Sequence, residues 1–229
     1  MQNDVATVGK GGNGGCCLCN DISAPQAEFW NIPLFETEDF TVIPSLGALV
    51  EGWLLVVPKR HALSSGALSG NLADKLFSLT RKVRDIVLAT YGSACIFEHG
   101  AVASGRAVGC GVDHAHIHVA PVGFDLAAAA SPLLPLGSGW REAKMPDAAQ
   151  SAFRRRADYL YVEQDGRAQI AEASDFGSQL FRRAIAAKLG SSAEYNWREF
   201  PQISTVALTV DKLQSTSFGE QLRRERPAA

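Results

Sequence analysis

The sequence predicts an α+β fold: an antiparallel sheet of about five strands with one long helix packed on it, then a C-terminal α/β extension. Three observations predict it. Short apolar runs end at Pro or Gly, one stretch of about twenty residues carries a helical apolar stripe, and Asp165-Gly166 separates two short β-type runs.

The elements follow in order. Residues 38–45 read as a short strand ended by Pro44, and residues 52–58 as a buried strand, a continuous apolar run closed by Pro58. The segment from Leu46 to Gly52 joins them as a hairpin. The long helix is expected over 72–90. Asn71 would cap it, Asp74 would meet its dipole, and Leu72, Leu76, Leu79, Val83, Ile86 and Val87 would form its buried face. Gly92 stops it. A strand over 94–98 leads to a Gly-rich loop over 100–111 and then to a strand over 114–122. Residues 125–157 read as helical or irregular. Tyr159 to Glu163 and Ala168 to Ala171 form a hairpin around Asp165-Gly166. Helices over 176–189 and 203–215 complete the chain, and the Arg-rich tail frays.

The composition bounds the function. The 229 residues are 46% hydrophobic and 20% charged, enough for a core that needs neither disulfides nor metal. The formal net charge of -2 gives no field for a nucleic-acid duplex or a membrane surface. The run Arg154-Arg155-Arg156 reads as a solvated helix face. No apolar run reaches the roughly 18 residues of a membrane span, and the first fifteen residues, polar and Gly-rich, read as a flexible leader without a signal peptide. A cytoplasmic location is the expectation.

Five cysteines, three of them within residues 16–19, argue against a disulfide framework. Cys16 and Cys19 have the spacing of half a zinc site or of a redox pair. A redox pair of the thioredoxin kind would follow a strand and open a helix, whereas this pair ends a Gly-rich leader. Three of the five histidines, His114, His116 and His118, alternate with small or apolar residues. On a strand, side chains two apart share a face, so three imidazoles would line one side. Packing alone gives no reason for such a row.

The run His114-Ala115-His116-Ile117-His118-Val119-Ala120 resembles the signature of the histidine triad (HIT) family. The segment Trp53-Leu54-Leu55-Val56-Val57-Pro58-Lys59-Arg60-His61 resembles that family's strand ending in Pro-Lys-x-His, and the order of elements is also similar. The resemblance spans about residues 16–122 and implies a HIT domain over 16–125, with 126–229 as an extension packed on it. It implies that the triad is catalytic. His116 would attack a nucleotide α-phosphate to form a covalent nucleotidyl-histidine, with a backbone carbonyl holding its second nitrogen. His118 would donate to the phosphate oxygens, assisted by backbone N–H groups near Gly111. It also implies a structural zinc held by Cys16, Cys19, His61 and His114. Ser45 falls near the family's ribose-binding position. Glu98 and His99 stand where the family often has Asn-x-Gly; the pair would polarise a water or acceptor, or cap the loop.

The substrates so implied are dinucleoside polyphosphates, nucleoside phosphoramidates or similar nucleotides, for a hydrolase or a nucleotidyltransferase. His118 departs from the sugar-1-phosphate uridylyltransferase branch, which usually has Gln there. Two other classes stay open: a nucleotide-binding regulatory module with little turnover, and a zinc-stabilised adaptor for a protein or an RNA end. In the family, two units commonly form a homodimer; the C-terminal half is an alternative cover for that surface. Phe181-Arg182-Arg183 and Tyr195-Asn196-Trp197-Arg198 are similar to C-terminal segments of HIT-like proteins related to RNA-lariat debranching cofactors. Gln179, Arg182 and Arg183 either reach a long substrate's phosphates or lie solvated on a helix, and Trp197 reads as core.

Overall fold

A computed structural model describes residues 15–23, 32–109, 111–172 and 175–224. The expected leader lies almost wholly outside these residues, as do Cys110 and the end of the tail.

Among the described residues, eight antiparallel strands form one sheet: β1 (Phe35–Glu36), β2 (Phe40–Pro44), β3 (Leu54–Pro58), β4 (Cys95–Gly100), β5 (Ile117–Ala120), β6 (Arg141–Glu142), β7 (Tyr159–Gln164) and β8 (Arg167–Glu172). Their spatial order is β1-β2-β3-β5-β4-β7-β8-β6. The expected five become eight because β4 is not an edge. It pairs with β5 on one side and along all six of its residues with β7 on the other. The strands beyond residue 126 thus extend the sheet. Every residue of β4 is buried, as a central strand covered on both faces requires.

The expected β2–β3 hairpin forms, with Pro44 opposite Leu54. So does the β7–β8 hairpin. Asp165 and Gly166 both have positive φ, 51° and 75°, as a two-residue turn matched to strand twist demands.

Helices cover the two faces. On one lies α2 (Gly70–Tyr91), whose Leu76, Phe77, Val83 and Val87 are buried against Val42, Leu54, Val56, Ile96, Ile117 and Val119. Ser69, not Asn71, is its N-cap, and no side chain caps it; Gly92 ends it at φ 79°. The short helix α4 (Asp147–Arg154) adds Ala149 and Ala152 to the same core. On the other face lie α3 (Leu126–Ala130) and α5 (Leu180–Lys188), whose Leu180, Phe181 and Ile185 bury Trp53, Phe97, Leu160 and Val162. The helix expected over 176–189 begins only at Leu180, preceded by Gln179 in the left-handed region at φ 57°. The expectation over 203–215 is met by α6 (Ile203–Ser215). It puts Val206 in one core and Leu213 in the other, and its Thr209 hydroxyl accepts the Gly52 N–H at 2.9 Å. The chain continues into α7 (Phe218–Arg224). Among the described residues no helix is long and apolar enough to cross a membrane.

Candidate active site and metal-ligand cluster

The histidine strand is shorter than its alternation predicts. Pairing begins at Ile117, opposite Val56, so His114 and His116 lie just ahead of the ladder. Pro58 ends β3 and has no N–H to continue the pairing. Its carbonyl takes His114 Nε2–H at 2.8 Å, and Ala115 N–H goes to Ala62 O at 2.6 Å. The row is divided between two sites.

His114 joins the metal-ligand cluster. Cys16, Cys19, His61 and His114 bring their ligand atoms within 4.8 Å of one another. His114 Nδ1 stands 3.3 Å from both thiols, and His61 Nδ1 is 3.3 Å from Cys19 Sγ. A tetrahedral ion with bonds of about 2.3 Å to sulfur and 2.0 Å to nitrogen has S···N edges of roughly 3.5 Å. The donor set fits such an ion. Cys16 directly precedes the helix α1 (Cys17–Ser23) and Cys19 lies in its first turn, where a spacing of three keeps both thiols on one side. Burial first, then Cys16, pushes the Cys19 thiol up to about 11, so a Cys19 thiolate requires a neighbouring cation. With Nε2 donating to a carbonyl, His114 presents the Nδ1 lone pair to the cluster. These four residues are positioned to bind a metal ion.

His116 and His118 form the second site, their rings 4.9 Å apart. His116 is 7% exposed and its Nδ1 is 2.6 Å from the carbonyl oxygen of His114. A carbonyl only accepts, so Nδ1 carries the proton and Nε2 the lone pair. Burial, opposed by that bond and reinforced by His114, pulls His116 down to about 4, which keeps the ring neutral. His118 stacks on Phe97 at 4.6 Å and accepts the Trp53 indole N–H on Nδ1 at 3.0 Å. Burial first, then His116, His99 and Arg182, holds it well below the usual histidine range.

His99 projects from β4 to the same face, 6.0 Å from His118. Its Nε2 accepts the Phe181 N–H at 3.2 Å, and burial pulls it down to about 3. Glu98 does not join them. The pleat sends it to the opposite face, where it accepts Ser65 N–H at 2.7 Å, Ser65 Oγ at 2.5 Å and Tyr159 OH at 2.9 Å. The expected Glu-His pair is split by the strand itself. Burial raises the Glu98 carboxyl. Ser45 is buried at the end of β2, its N–H on Trp53 O, and among the described contacts none joins it to a histidine. Gly111, at φ 73°, gives its carbonyl to Arg198 at 2.6 Å.

The sequence offered no reading for Trp53 beyond a place in the strand, nor for a buried Arg182. Arg182 is 1% exposed, bonded to Gly47 O and Tyr195 O, with its guanidinium 4.9 Å over the Trp53 ring. It is not a solvated helix-face residue. The available signal was a Trp inside an apolar strand, since a buried indole N–H needs an acceptor. Trp197 is half-buried, not core, and lies under Arg198 at 4.4 Å. The run Arg154 to Arg156 is exposed, as expected.

No family model matches the chain, and no curated protein sequence does. Solved structures similar to it include proteins described as histidine-triad or HIT-family. A Hit-like protein involved in cell-cycle regulation from Bartonella henselae is 16% identical, with 46% of this chain and 78% of that one covered and a TM-score of 0.38. A hypothetical histidine triad nucleotide-binding protein from Sulfolobus tokodaii is 18% identical, covering 48% and 71%, with a TM-score of 0.40. A yeast Ap4A phosphorylase in complex with AMP is 11% identical, covering 69% and 65%, with a TM-score of 0.42. Likeness at this level transfers no function; the chemistry rests on the residues.

Proposed function

We propose that this chain is a histidine-triad nucleotide hydrolase or nucleotidyltransferase in which His116 attacks an α-phosphorus. One observation carries the reading: the His114 carbonyl 2.6 Å from His116 Nδ1, which leaves Nε2 a lone pair on a neutral ring. The Nε2–P bond forms as the bond from phosphorus to the leaving group breaks. Water then adds at phosphorus, the P–N bond breaks, and the monophosphate leaves; an acceptor alcohol or phosphate in place of water would make the reaction a transfer. His118, neutral and with Nδ1 already an acceptor, donates from Nε2 to the phosphoryl oxygens as their charge grows. His99, Ser45 and the backbone at Gly111 frame the substrate in this reading, and Glu98 is removed from it by its place on the opposite face. Residues 16–125 carry this machinery in the present reading, and β6, β7 and β8 beyond them extend the same sheet.

Zinc is the ion we infer for Cys16, Cys19, His61 and His114, the Cys₂His₂ set of structural sites. When bound, it supplies a cross-link rather than reaction chemistry, tying α1 to the loop after β3 and to the residue whose carbonyl orients His116. Thiolate ligands suit a reducing compartment, in keeping with a cytoplasmic location. A second reading, a nucleotide-binding module with little turnover, is favoured by the 7% exposure of His116.

Incubation with adenine and guanine dinucleoside polyphosphates and phosphoramidates, quenched at neutral or alkaline pH, tests the proposal by intact mass. A nucleoside-monophosphate adduct or released monophosphate is expected with the wild type and not with His116→Ala. Binding without either product, equal in the two proteins, would replace the enzyme by the binding module.

A further inference from the structure

We propose that Trp53 is a positioning residue that fixes the proton of His118 on Nε2, and that Arg182 from the C-terminal half holds the indole in place to do so. The inference deepens the nucleotide-transfer reading, on which the use of that proton rests.

An indole N–H only donates. Trp53 Nε1 lies 3.0 Å from His118 Nδ1, so that nitrogen must be the acceptor. A neutral imidazole has one proton, which is then left on Nε2. His116 has the opposite arrangement, because a carbonyl oxygen only accepts. Two rings 4.9 Å apart thereby hold opposite tautomers, one offering a lone pair and the other an N–H. Neither partner is able to reverse its role, so the pair cannot exchange functions by shifting protons. An in-line attack on phosphorus needs this asymmetry: a nucleophile on one ring and a donor to the developing oxyanion on the next.

The indole is held on several sides. Phe97 meets it edge-on at 5.5 Å while stacking on His118 at an interplanar angle of 8°. Arg182 covers its face at 4.9 Å. The guanidinium is anchored on Gly47 O in the β2–β3 connection and on Tyr195 O. Its positive charge over the ring draws electron density from the indole and strengthens the N–H as a donor. The same charge opposes a second proton on His118. The C-terminal half thereby acts on the triad through a tryptophan, without a contact to substrate.

The test has two arms on the full-length, metal-loaded chain labelled with ¹⁵N, with His118 resonances assigned by their loss in His118→Asn. Wild-type protein at neutral pH is expected to show His118 protonated at Nε2, with a scalar coupling across the hydrogen bond from Trp53 Nε1 to His118 Nδ1. A His118 protonated at Nδ1, or no coupling, overturns the assignment. In Trp53→Phe the Nδ1-protonated form is expected to appear, and kcat to fall about tenfold with KM unchanged, as for partial loss of an oxyanion donor. A Trp53→Phe protein with the wild-type tautomer and kcat within about twofold of wild type would also overturn it. The wild-type coupling needs no substrate. If no nucleotide is turned over, the enzymatic reading fails while the tautomer claim is still decided.

Discussion

Replacing Glu98 with alanine removes the acceptor of three buried donors on the α2 face of the sheet: Ser65 N–H, Ser65 Oγ and Tyr159 OH. The two hydroxyls keep each other at 3.1 Å, but the Ser65 N–H is orphaned. One orphaned backbone donor costs about 1–3 kcal/mol, and the void left by the carboxyl adds to it. Loss of a carboxylate that burial itself disfavours offsets part. The expected net loss is about 2–4 kcal/mol. Glu98→Gln keeps the shape and an acceptor for Ser65 N–H. It is expected within about 1 kcal/mol of wild type at neutral pH, because a carboxyl raised in the folded state already loses stability as pH rises past its unfolded value. Urea unfolding at pH 7 gives both numbers. Equal losses in the two variants would refute the hydrogen-bond reasoning. Because Glu98 faces away from His116, Glu98→Gln should also leave adduct formation unchanged; a loss there at unchanged stability would return Glu98 to the substrate side.

Three further outcomes are expected. The Tyr159 ring stands over Gly100 across the β4–β7 ladder, so Gly100→Ala should cost about 1–3 kcal/mol or more by overpacking, read as a lowered Tm; a neutral substitution would contradict the packing. The protein should bind one zinc per chain by elemental analysis and lose it in Cys19→Ser, with chelation destabilising by about 2.7 kcal/mol when free ion had stood at 100 times Kd; a chelator that leaves the unfolding midpoint in place would argue against a structural ion. His99, held at about 3 when folded, should protonate only in the unfolded chain between pH 6.5 and 3. Its contribution is present above 6.5 and lost as pH falls, about 2 kcal/mol by pH 5, so the stability gap between wild type and His99→Phe should shift by that amount from pH 7 to 5. An unchanged gap would mean that His99 is charged in the fold.

Much of this fold is written locally. The stripe from Leu76 to Val87 specifies a helix because positions three and four apart share a face, and the Asp165-Gly166 turn specifies its hairpin because both residues tolerate positive φ. The alternation of His114, His116 and His118 marked the site, and the ligand residues Cys16, Cys19, His61 and His114 were legible through the family resemblance as a set that the structure brings within 4.8 Å. Local pattern misplaced what depends on a partner strand. Period two predicted a strand through all three histidines, but Pro58 across the ladder has no N–H, and the first two leave it.

The sequence by itself determined which chemistry is available: imidazoles at close spacing, thiols three apart, and a core large enough to hold them. Only the tertiary structure decided what each ring does. A histidine's proton goes where its neighbours leave room, and those neighbours are distant in the chain: Pro58 O for His114, the Trp53 indole for His118, the Phe181 N–H for His99. The same holds for Glu98, adjacent to His99 in sequence yet on the opposite face, and for Arg182, which reads as a surface charge until Gly47 and Trp53 close over it. Side-chain type is local information, whereas tautomer, burial and partner are set by long-range packing that no pattern along the chain encodes.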